Sequence, residues 1–400
     1  MGPAGPGVAG AVVIAAGELR DRLAGLEPIG LDASGTNRLA WTPELRAAEA
    51  WFEDQAGAAG LRVERDPAGS LWALPASGGP WWATGSHLDS VRSGGRYDGA
   101  LGVAAGFAVA ERLAGRVAVI AFADEEGARF NTPTFGSRAL VGALDVADAL
   151  ARTDDDGVRL GDAMRAAGND PGDLATAPAW LEKLRGFVEL HIDQTRDLDR
   201  LGAPAGAVRA LASRMRLALA FTGRADHAGT TRRGERSDAL AAAARIVVAA
   251  DELPGGDPDF LVTAARMLVE PNAFTTVPAS VRLWIDGRTP DPARLAAWRG
   301  ALDTAAAELA ERAGVGITVA TASHTEGVTF APEVMAAIGE LPELVCFAGH
   351  DAGILARERP AGMVFVRNAT GVSHAPEEHV ELDDAAIAAE AVLAALERLA

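Results

Sequence analysis

The chain has 400 residues, too many for one ordinary hydrophobic core, so two domains are expected. Its 49% hydrophobic and 23% charged residues match globular proteins and argue against disorder. Thirty-seven basic against 55 acidic residues give a net charge of −18, which disfavours nucleic acid as a partner but leaves the substrate open.

The single cysteine, Cys346, excludes an internal disulfide framework and a Cys-based zinc site, and it suits a reducing compartment. The apolar stretch Gly7 to Gly17 is far shorter than the ~20 residues of a membrane span. No positive region precedes it, so a cytoplasmic protein without a membrane partner is expected.

In chain order, Leu39 to Gly60 reads as a helix started by Thr42-Pro43-Glu44. Arg62 to Glu64 and Leu71 to Leu74 read as short strands. Trp81 to Gly85 and Val117 to Ala123 read as buried strands, with a helix, Leu101 to Leu113, between them. That βαβ rhythm predicts an α/β sheet buried on both faces, with its ligand beyond the carboxyl ends of the strands. His87 and the run Asp124-Glu125-Glu126 fall at those ends. Thr153 to Asp173 is polar and reads as exposed helix and loop, and Phe187 to Ile192 is a strand that delivers His191.

Near Gly206 the texture changes. Met215 to Thr222, Phe260 to Val269, Ser280 to Asp286 and Gly316 to Ala322 read as strands, and Ser237 to Ala250 and Pro292 to Ala313 as helices. The order β-α-β-β-α-β predicts a two-layer α+β domain over residues 209–325, inserted into a mixed-sheet α/β domain formed by 1–208 and 326–400. The second part of that domain would end in a helix, Asp383 to Leu399.

Imidazole nitrogen and carboxylate oxygen suit zinc-like ions, and a catalytic ion needs a position left for water. A Gly-rich loop can bring His87 and Asp98 to one point. Asp98 precedes Gly99 and a helix, so taken alone it reads as an N-cap before it reads as a carboxylate bridging metals. Asp89, two residues after His87, reads as a group that orients the imidazole or as a solvated loop carboxylate. Glu125 and Glu126, at a strand end, would point to opposite faces, one to bind metal and one to accept a proton from water. A surface acidic run is the other reading, weakened by the apolar run Val117 to Phe122 before it. His191 and His374, each taken singly, also read as structural. Yet five of only seven histidines (His87, His191, His227, His350 and His374) lie in Gly-rich or strand-end settings, which favours a site.

Six motifs carry a resemblance. They are His87-Leu88-Asp89-Ser90-Val91 with Gly94-Gly95-Arg96-Tyr97-Asp98-Gly99, Asp124-Glu125-Glu126-Gly127-Ala128-Arg129-Phe130, Glu189-Leu190-His191-Ile192-Asp193-Gln194, Ala225-Asp226-His227-Ala228-Gly229-Thr230-Thr231, Ala348-Gly349-His350-Asp351-Ala352, and Pro360-Ala361-Gly362-Met363-Val364-Phe365 through Ser373-His374-Ala375-Pro376. In this order, over roughly residues 30 to 395, the chain resembles the N-carbamoyl-L-amino-acid hydrolase, allantoate amidohydrolase and β-ureidopropionase group of the carboxypeptidase-G/aminoacylase superfamily.

The resemblance implies a catalytic domain with two divalent metal ions (zinc, or manganese, cobalt or nickel). Asp98 would bridge them, His87 and His191 would hold one, and Glu126 and His374 the other. Glu125 would be the general base that takes a proton from water and returns it to the leaving nitrogen. The smaller domain would act as a lid and dimerise, with His227 and Arg288 acting across subunits of a homodimer. His227 would stabilise the oxyanion. Arg288, ending Trp284-Ile285-Asp286-Gly287-Arg288, would clamp a substrate carboxylate through its guanidinium fork. Gln194 and His350 would line the substrate pocket. His191, where broader relatives often carry a carboxylate, points to the carbamoylase-like branch.

Departures from the family pattern fall on the substrate side. Thr275-Thr276-Val277-Pro278 stands where the family has Asn-x-x-Pro, and Asn272 lies out of register. Arg232 and Arg233 replace Pro-Met, Thr195 replaces a Gly, and Arg367 stands where Pro is often found. Thr275 and Arg232 are therefore candidate substrate contacts. The expected activity is metal-dependent hydrolysis of a linear amide or ureido C–N bond in a small carboxylate-bearing compound, such as an N-carbamoyl amino acid or an allantoate-like one. A dipeptidase, aminopeptidase or N-acyl amino-acid amidohydrolase of the same superfamily is the alternative. The intact base and ligands disfavour a non-catalytic binder.

Overall fold

The computed structural model describes residues 13–76 and 78–400. Most of the apolar stretch Gly7 to Gly17 lies outside them, and its described end enters the helix Ala16–Leu26. Among the described residues no helix is long and apolar enough to cross a membrane.

The chain forms two compact units. One extends to Arg209 and resumes over Thr329–Leu344 and Gly349–Ala400. The other comprises Ala210–Val328 and Val345–Ala348.

The first unit is built on a nine-stranded mixed sheet. At its centre Ala361–Val366, Leu184–Ile192, Trp81–His87 and Ala118–Phe122 lie side by side and parallel. Leu71–Leu74 and Arg62–Arg65 extend one side antiparallel, and Ala205–Leu211 pairs antiparallel on the other. Parallel strands bury both faces, and every residue of Trp81–His87 and Ala118–Phe122 is buried.

The helix Ala100–Arg112 between those two strands is buried from Ala100 to Ala110. Its small residues let it approach the sheet closely. A Cβ on Gly102 would overlap the Leu190 carbonyl oxygen, one residue before His191. Overpacking of this kind costs roughly 1–3 kcal/mol. Gly102→Ala is therefore expected to lower Tm by several degrees in calorimetry, with a partial loss of any activity that depends on His191. A wild-type Tm would contradict the close approach.

Element ends differ from expectation for local reasons. The first predicted helix is Pro43–Ala58, because the Thr42 hydroxyl caps it by accepting from the Leu45 N–H. The strand expected to stop at Gly85 runs on to His87. The polar stretch Thr153 to Asp173 is less exposed than its composition suggests. Its helix Leu160–Ala166 buries Leu160 and Met164 in a cluster with Phe130 and Phe135.

The second unit has the strand and helix order β-α-β-β-α-β. Its four-stranded sheet is antiparallel, ordered Leu261–Glu270, Ser280–Thr289, Ser213–Thr222, Gly316–Thr325. Alternate residues Leu217, Leu219, Phe221, Val281, Leu283 and Ile285 point into one core with the helices Ala239–Glu252 and Pro292–Ala313. Asp238 and Asp291 cap those helices by accepting main-chain N–H groups. A separate two-stranded ladder pairs Asp226–His227 with Thr276–Val277.

Candidate metal centre

His87 and His191 end two neighbouring parallel strands, so both imidazoles emerge at one edge of the sheet, with ring centroids 5.9 Å apart. The loop after His87 returns Asp98 to the same point. Gly99 permits this: its φ is +64°, and a Cβ there would overlap the His87 ring. Asp98 Oδ1 lies 3.3 Å from His87 Nε2 and 3.0 Å from His191 Nε2.

The N-cap reading of Asp98 does not hold. Gly99 occupies the cap position, and only the Asp98 main-chain oxygen serves the helix, accepting from the Ala100 N–H. The carboxylate is left for the site. Its Oδ2 accepts from Gln194 Nε2 at 3.2 Å and from Ser373 Oγ at 3.1 Å, and His374 Nε2 stands 3.7 Å away. His374 Nε2 is in turn 3.4 Å from Glu126 Oε2. Two donor sets thus share Asp98, His87–Asp98–His191 and Asp98–Glu126–His374, each with its ligand atoms within 4.8 Å of one another.

These residues fit divalent cations on a specific ground. His87 Nδ1 lies 3.0 Å from the Asp89 carbonyl oxygen and His191 Nδ1 3.0 Å from that of Ile192. Carbonyls only accept, so each Nδ1 carries the hydrogen and each Nε2 presents its lone pair. Both Nε2 atoms are buried and make no hydrogen bond among the described residues. Two lone pairs and a carboxylate facing one another call for positive charge among them, which a divalent cation supplies when bound. Without one, Asp98 works against burial to raise both imidazoles above their usual range, so that protons take the cation's place.

The surrounding charge agrees. Burial pushes the carboxyls of Asp89, Asp124, Glu125, Glu189 and Asp351 above the ordinary range, and that of Glu126 up to about 8. Burial also works against the ionised form of Asp98, but His191 and His87 hold its carboxyl well below the usual value.

The acidic pair is arranged differently from the expectation. The strand ends at Phe122, and Asp124, at φ +49°, turns the chain, so Glu125 and Glu126 diverge through a left-handed bend rather than strand alternation. Glu125 is buried with Oε2 3.9 Å from His87 Nε2. Asp89 reaches His87 through its main-chain carbonyl. Its carboxylate, 3.6 Å from His87 Nδ1, instead accepts from the Glu125 and Glu126 N–H groups at 3.1 and 3.0 Å and so holds the acidic turn.

Gln194 points its amide at Asp98, as described. His350 is buried, its ring 4.4 Å from that of His191, and neither of its nitrogens has a hydrogen-bond partner among the described residues. Burial, reinforced by His191, holds it well below the usual imidazole range.

The other candidates lie in the second unit. His227 is exposed, and its Nδ1 accepts from the Gly229 and Thr230 N–H groups, which leaves the proton of the neutral ring on Nε2. The Thr275 carbonyl accepts from the Ala228 N–H, tying it beside the His227 turn. Arg288 donates through Nε to Asp286 and through a terminal nitrogen to the Phe347 carbonyl. The exposed side chains of Arg232 and Arg233 make no hydrogen bond or ion pair among the described residues.

Two departures have local explanations. Thr195 donates from N and Oγ1 to Asp193, and Arg367 pairs with Asp384 at 2.7 Å.

Sequence reasoning missed Ser373, Glu189, Glu378 and Arg214 as site candidates. Ser373 had the signal of adjacency to His374, and Glu189 that of a carboxylate inside an apolar strand. Glu189 accepts from Ser86 Oγ and the Ala352 N–H, and with His191 and His350 it forms a third close donor group. Arg214 had no sequence signal. It lies directly across the ladder from Arg288 and donates to Thr325 Oγ1, while Arg288 and Arg216 both donate to Asp286.

The family model for peptidase family M20/M25/M40 matches residues 80–398. The N-carbamoyl-L-amino-acid amidohydrolase of Paenarthrobacter aurescens is 33% identical over 398 residues, covering 94% of this chain and 95% of that protein. The allantoate amidohydrolase of Bacillus subtilis is 30% identical, covering 96% and 97%. The crystal structure of an amidase of the hydantoinase/carbamoylase family from Burkholderia multivorans matches with a TM-score of 0.86 and 29% identity, covering 96% of this chain and 98% of that one.

Proposed function

The chain belongs to peptidase family M20/M25/M40, and on that footing we propose that it is a metal-dependent amidohydrolase of linear, non-peptide C–N bonds. Its substrate is a small carboxylate-bearing ureido or amide compound, an N-carbamoyl amino acid or an allantoate-like molecule. The observation that carries this reading is the pair of buried Nε2 atoms of His87 and His191 that converge on one oxygen of Asp98, whose other oxygen faces His374.

His87, Asp98 and His191 would hold one divalent cation, and Asp98, Glu126 and His374 would hold a second, with Asp98 shared between them; zinc, manganese, cobalt or nickel suits these donors. Such cations, when bound, supply Lewis acidity toward water and toward the scissile carbonyl. Glu125 takes the proton of the attacking water and returns it to the leaving nitrogen. His227, with its proton on Nε2, donates to the oxygen on which charge develops, and it does so from the partner subunit of a homodimer. Arg288 binds the substrate carboxylate, with Arg214 adding charge beside it, since Arg288 and Arg216 both donate to Asp286 while Arg214, across the ladder from Arg288, donates to Thr325. Gln194, His350, Thr275 and Arg232 complete the substrate contacts. The domain at 209–325 serves as lid and dimerisation element. The buried Cys346, the one cysteine of the sequence, fits a cytoplasmic location.

A test is to strip cations with a chelator, add back zinc, manganese, cobalt or nickel, and assay N-carbamoyl, N-formyl and N-acyl amino acids, allantoate and dipeptides. The expected result is turnover of a carbamoyl or ureido compound, lost on chelation and restored by a cation. Turnover of dipeptides alone would assign a peptidase instead. No cation-dependent turnover of any of them would overturn the reading.

A further inference from the structure

We infer that Glu378 is a positioning residue that clamps the loop carrying Asp98 to the segment carrying His374, and so sets the geometry of the Asp98–Glu126–His374 seat. The inference rests on the functional reading above, because it concerns the same cations.

The two segments are far apart in sequence, and the one that carries His374 is the less firmly anchored by its own packing. The His374 side chain is 47% exposed, and its backbone sits at φ +58°. The amino-terminal side of that segment is tied by Asn368, whose Oδ1 accepts from the Thr370 and Gly371 N–H groups while Nδ2 donates to the Val372 carbonyl. The carboxyl-terminal side is tied by Glu378. Its own N–H donates to the Ala375 carbonyl, closing the turn after His374.

Its side chain then crosses to the other segment. Oε1 accepts from the Tyr97 N–H at 2.8 Å and from the Asp98 N–H at 3.0 Å. The residue is 2% exposed, and a Cβ on Gly95 would overlap its side chain, so the glycine-rich loop leaves room for this carboxylate. One oxygen therefore fixes the main chain of Asp98 from the segment that presents His374. Without it, two buried N–H groups lose their acceptor at the residue shared by both donor sets.

An acceptor oxygen at the right reach is what the role requires, and a negative charge is not. Glu378→Gln keeps that oxygen, Glu378→Asp is one methylene short, and Glu378→Ala removes it. The test uses the full-length protein and zinc alone, with stoichiometry read by elemental analysis, affinity by chelator competition, and Tm measured on the zinc-free protein. The expected result is that E378A and E378D lose about 10- to 100-fold in affinity for the more weakly held zinc, while E378Q binds both zinc ions as wild type does. If E378A does not fold, E378D against E378Q carries the comparison.

Wild-type affinity for both zinc ions in E378D and E378A, with only a lowered Tm, would overturn the inference. So would an equal loss in E378Q. A wild-type chain that binds no zinc would overturn the functional reading and this inference together. A wild-type chain that binds two zinc ions yet hydrolyses none of the compounds above would overturn the functional reading alone, and the ordering of the variants would still stand.

Discussion

Replacing Glu125 with glutamine is expected to lower kcat by about 10²- to 10⁴-fold, the usual contribution of a positioned general base, while cation stoichiometry stays at the wild-type value. Stability is the informative second readout. Burial, then Asp351, Glu126 and Asp89, push the Glu125 carboxyl well above its ordinary range, against the opposing pull of His87. The fold thus disfavours its charged form, and a neutral amide of the same shape removes that penalty. Tm of the cation-free variant is expected to equal or exceed that of wild type. Steady-state kinetics and calorimetry on the same preparation separate the cases. A variant keeping more than a tenth of the activity would remove Glu125 from the reaction.

The second large effect is expected at Asp98. Asp98→Asn conserves shape but replaces one carboxylate oxygen with a donor. Each of its oxygens now faces imidazole nitrogen, Oδ1 that of His87 and His191 and Oδ2 that of His374. In the cation-free protein His191 and His87 hold the buried Asp98 carboxyl in its charged form, so the amide loses that pairing and the cation-free variant is expected to melt below wild type. The bridge between the donor sets is lost. Zinc stoichiometry is expected to fall to one or none, and kcat by roughly 10³-fold or more, given the several kcal/mol that such cations supply to developing charge. Elemental analysis with Tm measured with and without zinc reads both. Two tightly held ions in D98N would refute the bridging role.

Both expectations depend on features with different visibility in the sequence. His87, His191 and the acidic run were legible because each follows an apolar strand, and parallel strands present their carboxyl ends to one edge. The separation of Glu125 from Glu126 was expected, but its cause was not. Strand alternation is a local rule, whereas the left-handed bend at Asp124 is set by where Asp89 receives the two N–H groups. Asp98 was ambiguous because the residue before a glycine and a helix looks the same whether its side chain caps the helix or leaves it. The order of strands and helices in the second unit was legible from alternation and helical periodicity, since its sheet buries one face.

By itself, then, the sequence determined the types of donor present, the strand ends that carry most of them, and the amphipathic order of both units, because these follow from periodicities of two and 3.6 residues along a single segment. Only the tertiary structure decided which oxygen of Asp98 meets which imidazole, that Glu378 reaches back to the Asp98 main chain, and that Arg214 stands across from Arg288. Those are relations of register and loop return between residues tens to hundreds of positions apart. No local pattern encodes them, because the free energy that selects them is that of the packed whole.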